Sequence, residues 1–331
     1  MTAADETVND TNPLTVPLSA MRYDVTLPLM DGRVTADGVR LVPTKTSSMV
    51  IRDIPELRDG NFGLWDLNVG FWLPAIEAGW DLVALPVFPK RKSALQFIFC
   101  RADSGIHTPR DLAGKRVGTR QYRTAVTLWV RGLLKEQYHV DIDAIRWFAQ
   151  VKDVFPHHDP KAHITYVDEK RSMVDALLAG DVDAIITDIS DAALFDRLET
   201  DPAVVRLFPE YPTTDLALYR ETGIYPPMHL IVMSGRLDRE NPGLARRLYD
   251  AFVKAKTMAY DEIAGDRAGF SVVYLRERFK EQQALWGDPC AYGIQANRAM
   301  IDAFVRYNHE QGAIQSPLSY ERIFATGTLE S

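Results

Sequence analysis

Histidine is the side chain that most readily gives or takes a proton near neutral pH, with an unperturbed pKa of about 6.5. Of the seven histidines in this chain, His229 has the most informative setting: it follows Tyr225-Pro226-Pro227-Met228 and opens the apolar run Leu230-Ile231-Val232-Met233. Two adjacent prolines make a stiff, extended segment suited to a crossing between lobes. His229 therefore reads as a proton donor or acceptor at such a crossing, or else as a hydrogen-bonded structural residue beside an apolar strand. Asp66 and Asp188 each follow an apolar strand-like run, 62–65 and 184–187. Strand ends in open α/β sheets deliver side chains into the ligand crevice, so either acid could trade a proton with a ligand. Each also fits as the N-cap of the next helix, and for Asp188 capping is the preferred reading.

Arg120, Tyr122, Arg123 and Thr124 stand where a strand ends and a helix begins. Free backbone N–H groups and the positive end of the helix dipole attract carboxylates there, and an arginine adds a planar fork that grips a carboxylate with two hydrogen bonds. Ordinary capping with solvated arginines is the alternative. Arg131 follows Thr124 by seven residues, hence lies on the same helical face two turns on, for ion pairing or for ligand contact. Arg298, in a separate segment, either closes the cleft from the first lobe or forms a surface salt bridge. His157, His158, Asp159 and His163 offer donors for a divalent transition metal. Pro156 and Pro160 frame them in a polar loop whose spacing fits no rigid metal site, so a solvated loop is expected and no metal. Cys100 and Cys290 lie far apart beside apolar or small residues and read as buried thiols. No dinucleotide-binding glycine fingerprint, P-loop or nucleophile elbow is present.

These residues need a scaffold. A chain of 331 residues suits two lobes, and a net charge of −7 argues against a nucleic-acid or anionic-membrane surface. Residues 1–13 (MTAADETVNDTNP) are acidic and polar. They have neither the positive start nor the apolar run of about 7–15 residues of a secretory signal. No stretch approaches the roughly 18–20 apolar residues of a spanning helix, and a cytoplasmic location is expected. Short β-rich runs alternate with amphipathic ones, the mark of parallel α/β construction. The spacing predicts strands over 38–43, 82–87, 95–101, 116–119, 145–149, 164–167, 184–187, 204–208 and 229–234. It predicts helices over 48–58, 71–78, 108–112, 124–138, 172–179, 192–198, 242–263 and 293–311. Thr108-Pro109 and Asn241-Pro242 read as helix starts, Gly180 and Gly312 as helix ends. The expected organisation is a flexible tail over 1–20, a first lobe of 21–102 plus 225–331, and a second lobe of 103–224. The chain would cross near 102–105 and return near 221–228.

The order of motifs is similar to a known architecture. SALQFIFCR at 93–101 followed by GIHTPRDLAGKRVGT at 105–119 resembles the crossing strand and second-lobe opening of type II periplasmic-binding-protein folds. Gly180-Asp181-Val182-Asp183-Ala184 resembles the element of that fold that ends in a strand beneath the cleft. The fold expected is therefore α/β, two-lobed and type II periplasmic-binding-protein-like, with a ligand cleft between the lobes. AVTLWVRGL at 125–133, TGIYPPMH at 222–229, YGIQANR at 292–298 and HEQG at 309–312 closely resemble the 4,5-dihydroxyphthalate decarboxylase family. The resemblance runs in the same order from about residue 22 to residue 326. It implies a cytoplasmic enzyme that removes one carboxylate from a catechol dicarboxylate and uses no organic cofactor.

Three cleft loops depart from the family pattern: Asp66-Leu67-Asn68-Val69-Gly70, Lys90-Arg91-Lys92-Ser93 and Thr119-Arg120-Gln121-Tyr122-Arg123. The substrate expected is accordingly a hydroxylated aromatic carboxylate of the 4,5-dihydroxyphthalate kind. The roles expected are His229 as proton donor, Asp66 as partner of a ring hydroxyl, and Arg120, Arg123 and Thr124 as anchors. Tyr122, Arg131, Asp188 and Arg298 complete the substrate-binding candidates. The partner expected is the small aromatic carboxylate, with no nucleic acid and no membrane, and a homo-oligomer is a possible assembly. The alternative from another class is a non-catalytic cytosolic solute-binding protein or sensor for a small anion.

Overall fold

The computed structural model describes residues 12–44, 54–159, 162–187 and 192–331. In chain order its strands are β1 (Leu14–Ser19), β2 (Val39–Pro43), β3 (Leu64–Asn68), β4 (Leu82–Ala84), β5 (Lys90–Arg91), β6 (Ile98–Arg101), β7 (Arg116–Gln121), β8 (Arg146–Val151), β9 (Ile164–Tyr166), β10 (Ala184–Ile186), β11 (Val204–Arg206) and β12 (Pro227–Ser234). They form two sheets. The first has the order β2-β1-β3-β12-β4, with β5 also paired to β12, and the second the order β11-β6-β10-β7-β8-β9. Each sheet is parallel apart from one reversed strand: β12 is antiparallel to β3, β4 and β5, and β6 is antiparallel to β10 and β11. Those reversed strands are the ones that open as the chain arrives from the other sheet.

The expected α/β class and two-sheet layout hold, with several corrections. Residues 14–19 are not a flexible tail but β1, the strand between β2 and β3, with Val16 and Leu18 fully buried. Leu14, Val16 and Leu18 alternate with a period of two, the pattern of a half-buried strand, and the polar residues ahead of them obscure it. The chain changes sheets earlier than 102–105, because residues 98–101 pair with β10 and β11. Residues 95–97, expected as part of that strand, form a 3-10 turn. Two helices were not foreseen, Tyr211–Thr222 and Leu275–Trp286; each buries a single residue, Asp215 and Phe279, so neither shows a clear apolar stripe. Asn241-Pro242 does not start its helix. That helix, Leu244–Ala264, is capped by Gly243 at φ +81°, and Thr108-Pro109 opens only a 3-10 turn. Most of the expected 48–58 helix lies outside the described residues; the described part is Pro55–Arg58.

The two sheets are joined by aromatic packing. Trp129, on the helix Ala125–Tyr138 that follows β7, lies 5.0 Å from Phe304 of the helix Arg298–Glu310. Phe304 in turn stacks on Trp72 of the helix Val69–Glu77 that follows β3. The Trp129 indole N–H also donates to the Pro227 carbonyl at 3.0 Å, tying the Ala125–Tyr138 helix to the start of β12.

Candidate active site

β12 and β3 pair so that His229 stands opposite Asn68 and Ile231 opposite Asp66. Side chains two apart along a strand share a face, so His229 and Asp66 are diagonal neighbours. Their side chains meet, His229 Nδ1 to Asp66 Oδ1 at 2.8 Å, with the carboxylate fully buried and the imidazole 6% exposed. Met21 N–H donates to the other carboxylate oxygen at 3.2 Å. A carboxylate on Nδ1 selects the tautomer that carries its proton there, which leaves Nε2 as the working nitrogen. Nε2 has no hydrogen-bond partner among the described residues.

Asp66 is not the cap of the helix after β3. Asn68 caps it: its Oδ1 accepts the Gly70 N–H at 2.9 Å and also the Ala125 N–H, the first of the helix after β7, at 3.1 Å. The two strand-to-helix turns are thus in direct contact beside His229. Gly70 makes that approach possible, since a Cβ there would lie 2.7 Å from the Arg123 carbonyl oxygen.

The expected anion anchors go elsewhere. The Arg123 guanidinium is buried and donates to the carbonyls of Phe155 at 3.3 Å and Pro156 at 2.9 Å, while the Arg123 backbone N–H donates to Asp153 Oδ1 at 3.1 Å. Arg131 is buried on the Tyr122 ring, 3.8 Å from its centroid, and donates to Gln311 Oε1 and the Tyr122 carbonyl. Tyr122 itself packs against Trp147 and His157. Thr124 is a helix cap, exchanging hydrogen bonds with Thr127. Arg120 is exposed, and Arg298 is exposed with its guanidinium over Tyr320. Asp188 lies outside the described residues. Among the described candidates named from sequence, Tyr122 and Arg131 meet in structural packing, whereas His229 and Asp66 meet as an imidazole–carboxylate pair.

The histidine loop is tied down rather than free. His157 Nδ1 accepts the Asp159 N–H, and His158 Nε2 lies 3.4 Å from Glu77 Oε2. Burial, reinforced by Arg123 and Arg131, pushes His157 down to about 4. Among the described residues no group of three or more His, Cys, Asp or Glu side chains is arranged to hold a metal.

Sequence reasoning passed over Arg91. Its guanidinium donates to the Tyr225 carbonyl at 2.8 Å, the Ala291 carbonyl at 3.0 Å and Asn297 Oδ1 at 2.5 Å. One side chain thus joins the TGIYPPMH and YGIQANR segments. The basic run Lys90-Arg91-Lys92 was the available signal, but a two-residue strand with a register shift hides which way each side chain turns.

Two mixed sheets, each entered by a reversed strand and meeting at their strand-to-helix turns, define a periplasmic-binding-protein-like fold. The periplasmic aliphatic sulphonate binding protein SsuA from Escherichia coli shares it, with a TM-score of 0.54 at 14% identity, over 95% of this chain and 92% of that one. So does a DSZB mutant in complex with biphenyl-2-sulfinic acid, with a TM-score of 0.52 at 18% identity, over 96% and 97% of the two chains. Residues 58–282 match the family described as "ABC transporter, phosphonate, periplasmic substrate-binding protein", and the chain belongs to that family. Over 333 residues it is 26% identical to a 4,5-dihydroxyphthalate decarboxylase of Comamonas testosteroni, spanning 96% of this chain and 98% of the relative. A 4,5-dihydroxyphthalate decarboxylase of Pseudomonas putida is 29% identical over 142 residues, 41% of this chain and 53% of that relative.

Proposed function

We propose that the protein is a carboxy-lyase that decarboxylates a hydroxylated aromatic carboxylate of the 4,5-dihydroxyphthalate type without an organic cofactor. The observation that carries this reading is the buried His229–Asp66 pair, with Nε2 of the imidazole left uncommitted among the described residues. The full-length similarity to a named decarboxylase supports it.

The reaction replaces a ring C–C bond by a ring C–H bond. A hydroxyl ortho or para to the leaving carboxylate feeds electrons into the ring, and the ring carbon takes a proton from His229 Nε2–H. The C–C bond to the carboxylate then breaks, its electron pair restores aromaticity, and CO₂ departs. His229 recovers its proton from solvent. Asp66 holds the ring by its Nδ1–H throughout and offsets its charge while both nitrogens are protonated. A positioned acid of this kind contributes on the order of 10²- to 10⁴-fold in rate.

The substrate-binding family to which the chain belongs favours one other reading, a solute-binding protein that holds the acid without changing it. CO₂ release from a panel of hydroxylated aromatic carboxylates separates the two. Turnover by the intact protein, cut at least 10²-fold in His229→Gln, is the expected result. Tight binding across the panel with no CO₂ released would overturn the enzyme reading.

A further inference from the structure

We infer that Arg91, Tyr23 and Tyr292 form a cradle of hydrogen-bond donors for the carboxylate that the substrate keeps, next to the His229–Asp66 pair. The identity of the ligand rests on the decarboxylase reading; the donor character of the cradle does not. Each of the three residues carries a buried polar atom with no partner among the described residues: Arg91 Nε and the two phenolic oxygens. Arg91 Nε–H can only donate, and each phenol offers an O–H. A buried donor left unmatched costs stability, so three around one cluster mark a place built for an acceptor supplied from outside. With a single guanidinium among them, the matching acceptor is an oxyanion.

The placement is set by the fold. Arg91 lies opposite Pro227 on β12, and its neighbour Lys90 lies opposite His229. The three hydrogen bonds from its Nη atoms occupy neutral acceptors and hold the fork still, so the Nε–H edge is the part left to offer. Arg91 as a whole is half-buried, and its Nε is buried. Ala291, which Arg91 grips, immediately precedes Tyr292, whose ring carries Lys256 Nζ 4.9 Å from its centroid. Tyr23 is two residues from Met21, whose N–H holds Asp66. Its hydroxyl lies close enough to that carboxylate for Asp66 to act on it directly. Burial raises both phenols well above their ordinary range; Asp66 pushes Tyr23 the same way and Arg91 partly offsets the effect on Tyr292. Both therefore remain donors throughout the range in which the protein is handled.

The test compares two ligands that differ by one carboxylate, 3,4-dihydroxybenzoate and catechol, by calorimetry on wild type, Arg91→Met, Tyr23→Phe and Tyr292→Phe. Wild type should prefer the acid. Arg91→Met should weaken the acid on the order of 10- to 100-fold and leave catechol within about twofold. Because Arg91 also braces two loops, the isosteric tyrosine variants carry the test if Arg91→Met does not fold. Each should weaken the acid selectively while the unliganded Tm holds or rises, since a buried unmatched hydroxyl has been removed. Equal losses for both ligands, undiminished acid binding, or a wild type with no preference for the acid would overturn the cradle. CO₂ release is followed separately. Carboxylate binding that depends on Arg91 without any CO₂ release would sink the decarboxylase reading and leave the cradle standing.

Discussion

Asp215 should make the protein less stable as pH rises from 4 to 7, against the usual behaviour of carboxyl groups. It is buried on the helix Tyr211–Thr222 that leads into the TGIYPPMH segment. Burial pushes its carboxyl up to about 6, with the Ser93 hydroxyl offsetting part of the effect. In the unfolded chain the same group titrates near 3.9. Between these two values the folded protein holds a proton that the unfolded chain has released, so unfolding is eased as the pH rises through the window. Each pH unit of that gap is worth about 1.4 kcal/mol, and a gap of about two units gives roughly 3 kcal/mol, present below pH 4 and lost by about pH 7. Asp215→Asn keeps the shape and removes the proton. Urea unfolding of wild type and variant at half-unit steps from pH 4.5 to 7.5 isolates the group, because every other titration cancels in the difference. The variant's advantage should grow with pH and level off near 7. A difference that stays flat within about 0.5 kcal/mol across the window would refute the argument.

Two further predictions bear on the site. Asp66→Asn offers His229 either an amide oxygen or an amide N–H, and so no longer enforces one tautomer; kcat should fall on the order of 10²- to 10⁴-fold with KM within a few-fold, by steady-state CO₂ release. An unchanged kcat would remove Asp66 from the mechanism. Gly70→Ala drives a methyl against the Arg123 carbonyl, 2.7 Å from the new Cβ, where both partners are backbone. The urea midpoint should drop by the equivalent of about 1–3 kcal/mol at unchanged m-value, and a neutral substitution would mean that the two turns separate freely.

How far the sequence could be read depended on what each residue had to meet. Asp66 and His229 were visible singly, each at a strand position flanked by apolar residues. Their pairing was not, because it depends on the register of two strands 163 residues apart. Arg123 was read as a ligand anchor, and Arg131 as an ion-pair or ligand-contact residue, because strand-to-helix placement and helical spacing fix a face but not what lies across from it. Across from them are the carbonyls of 155–156 and the Gln311 amide. β1 was concealed by the polar residues before it. The fold itself came through more clearly, since glycine and proline punctuation and strand-length apolar runs are local signals. Gly180 and Gly312, read as helix ends, do take the left-handed conformation, at φ +80° and +64°.

Asn68 has an electrical consequence. Its single amide oxygen receives N–H groups from the first turns of two helices, of 9 and 14 residues, so both macrodipoles point their positive ends at one spot across the strand pair from His229. Each end acts like roughly half a positive charge. Whatever occupies the space beside His229 therefore sits in a positive field that belongs to the backbone. Such a field does not titrate, needs no exposed lysine, and survives the commitment of Arg123 and Arg131 to structural work.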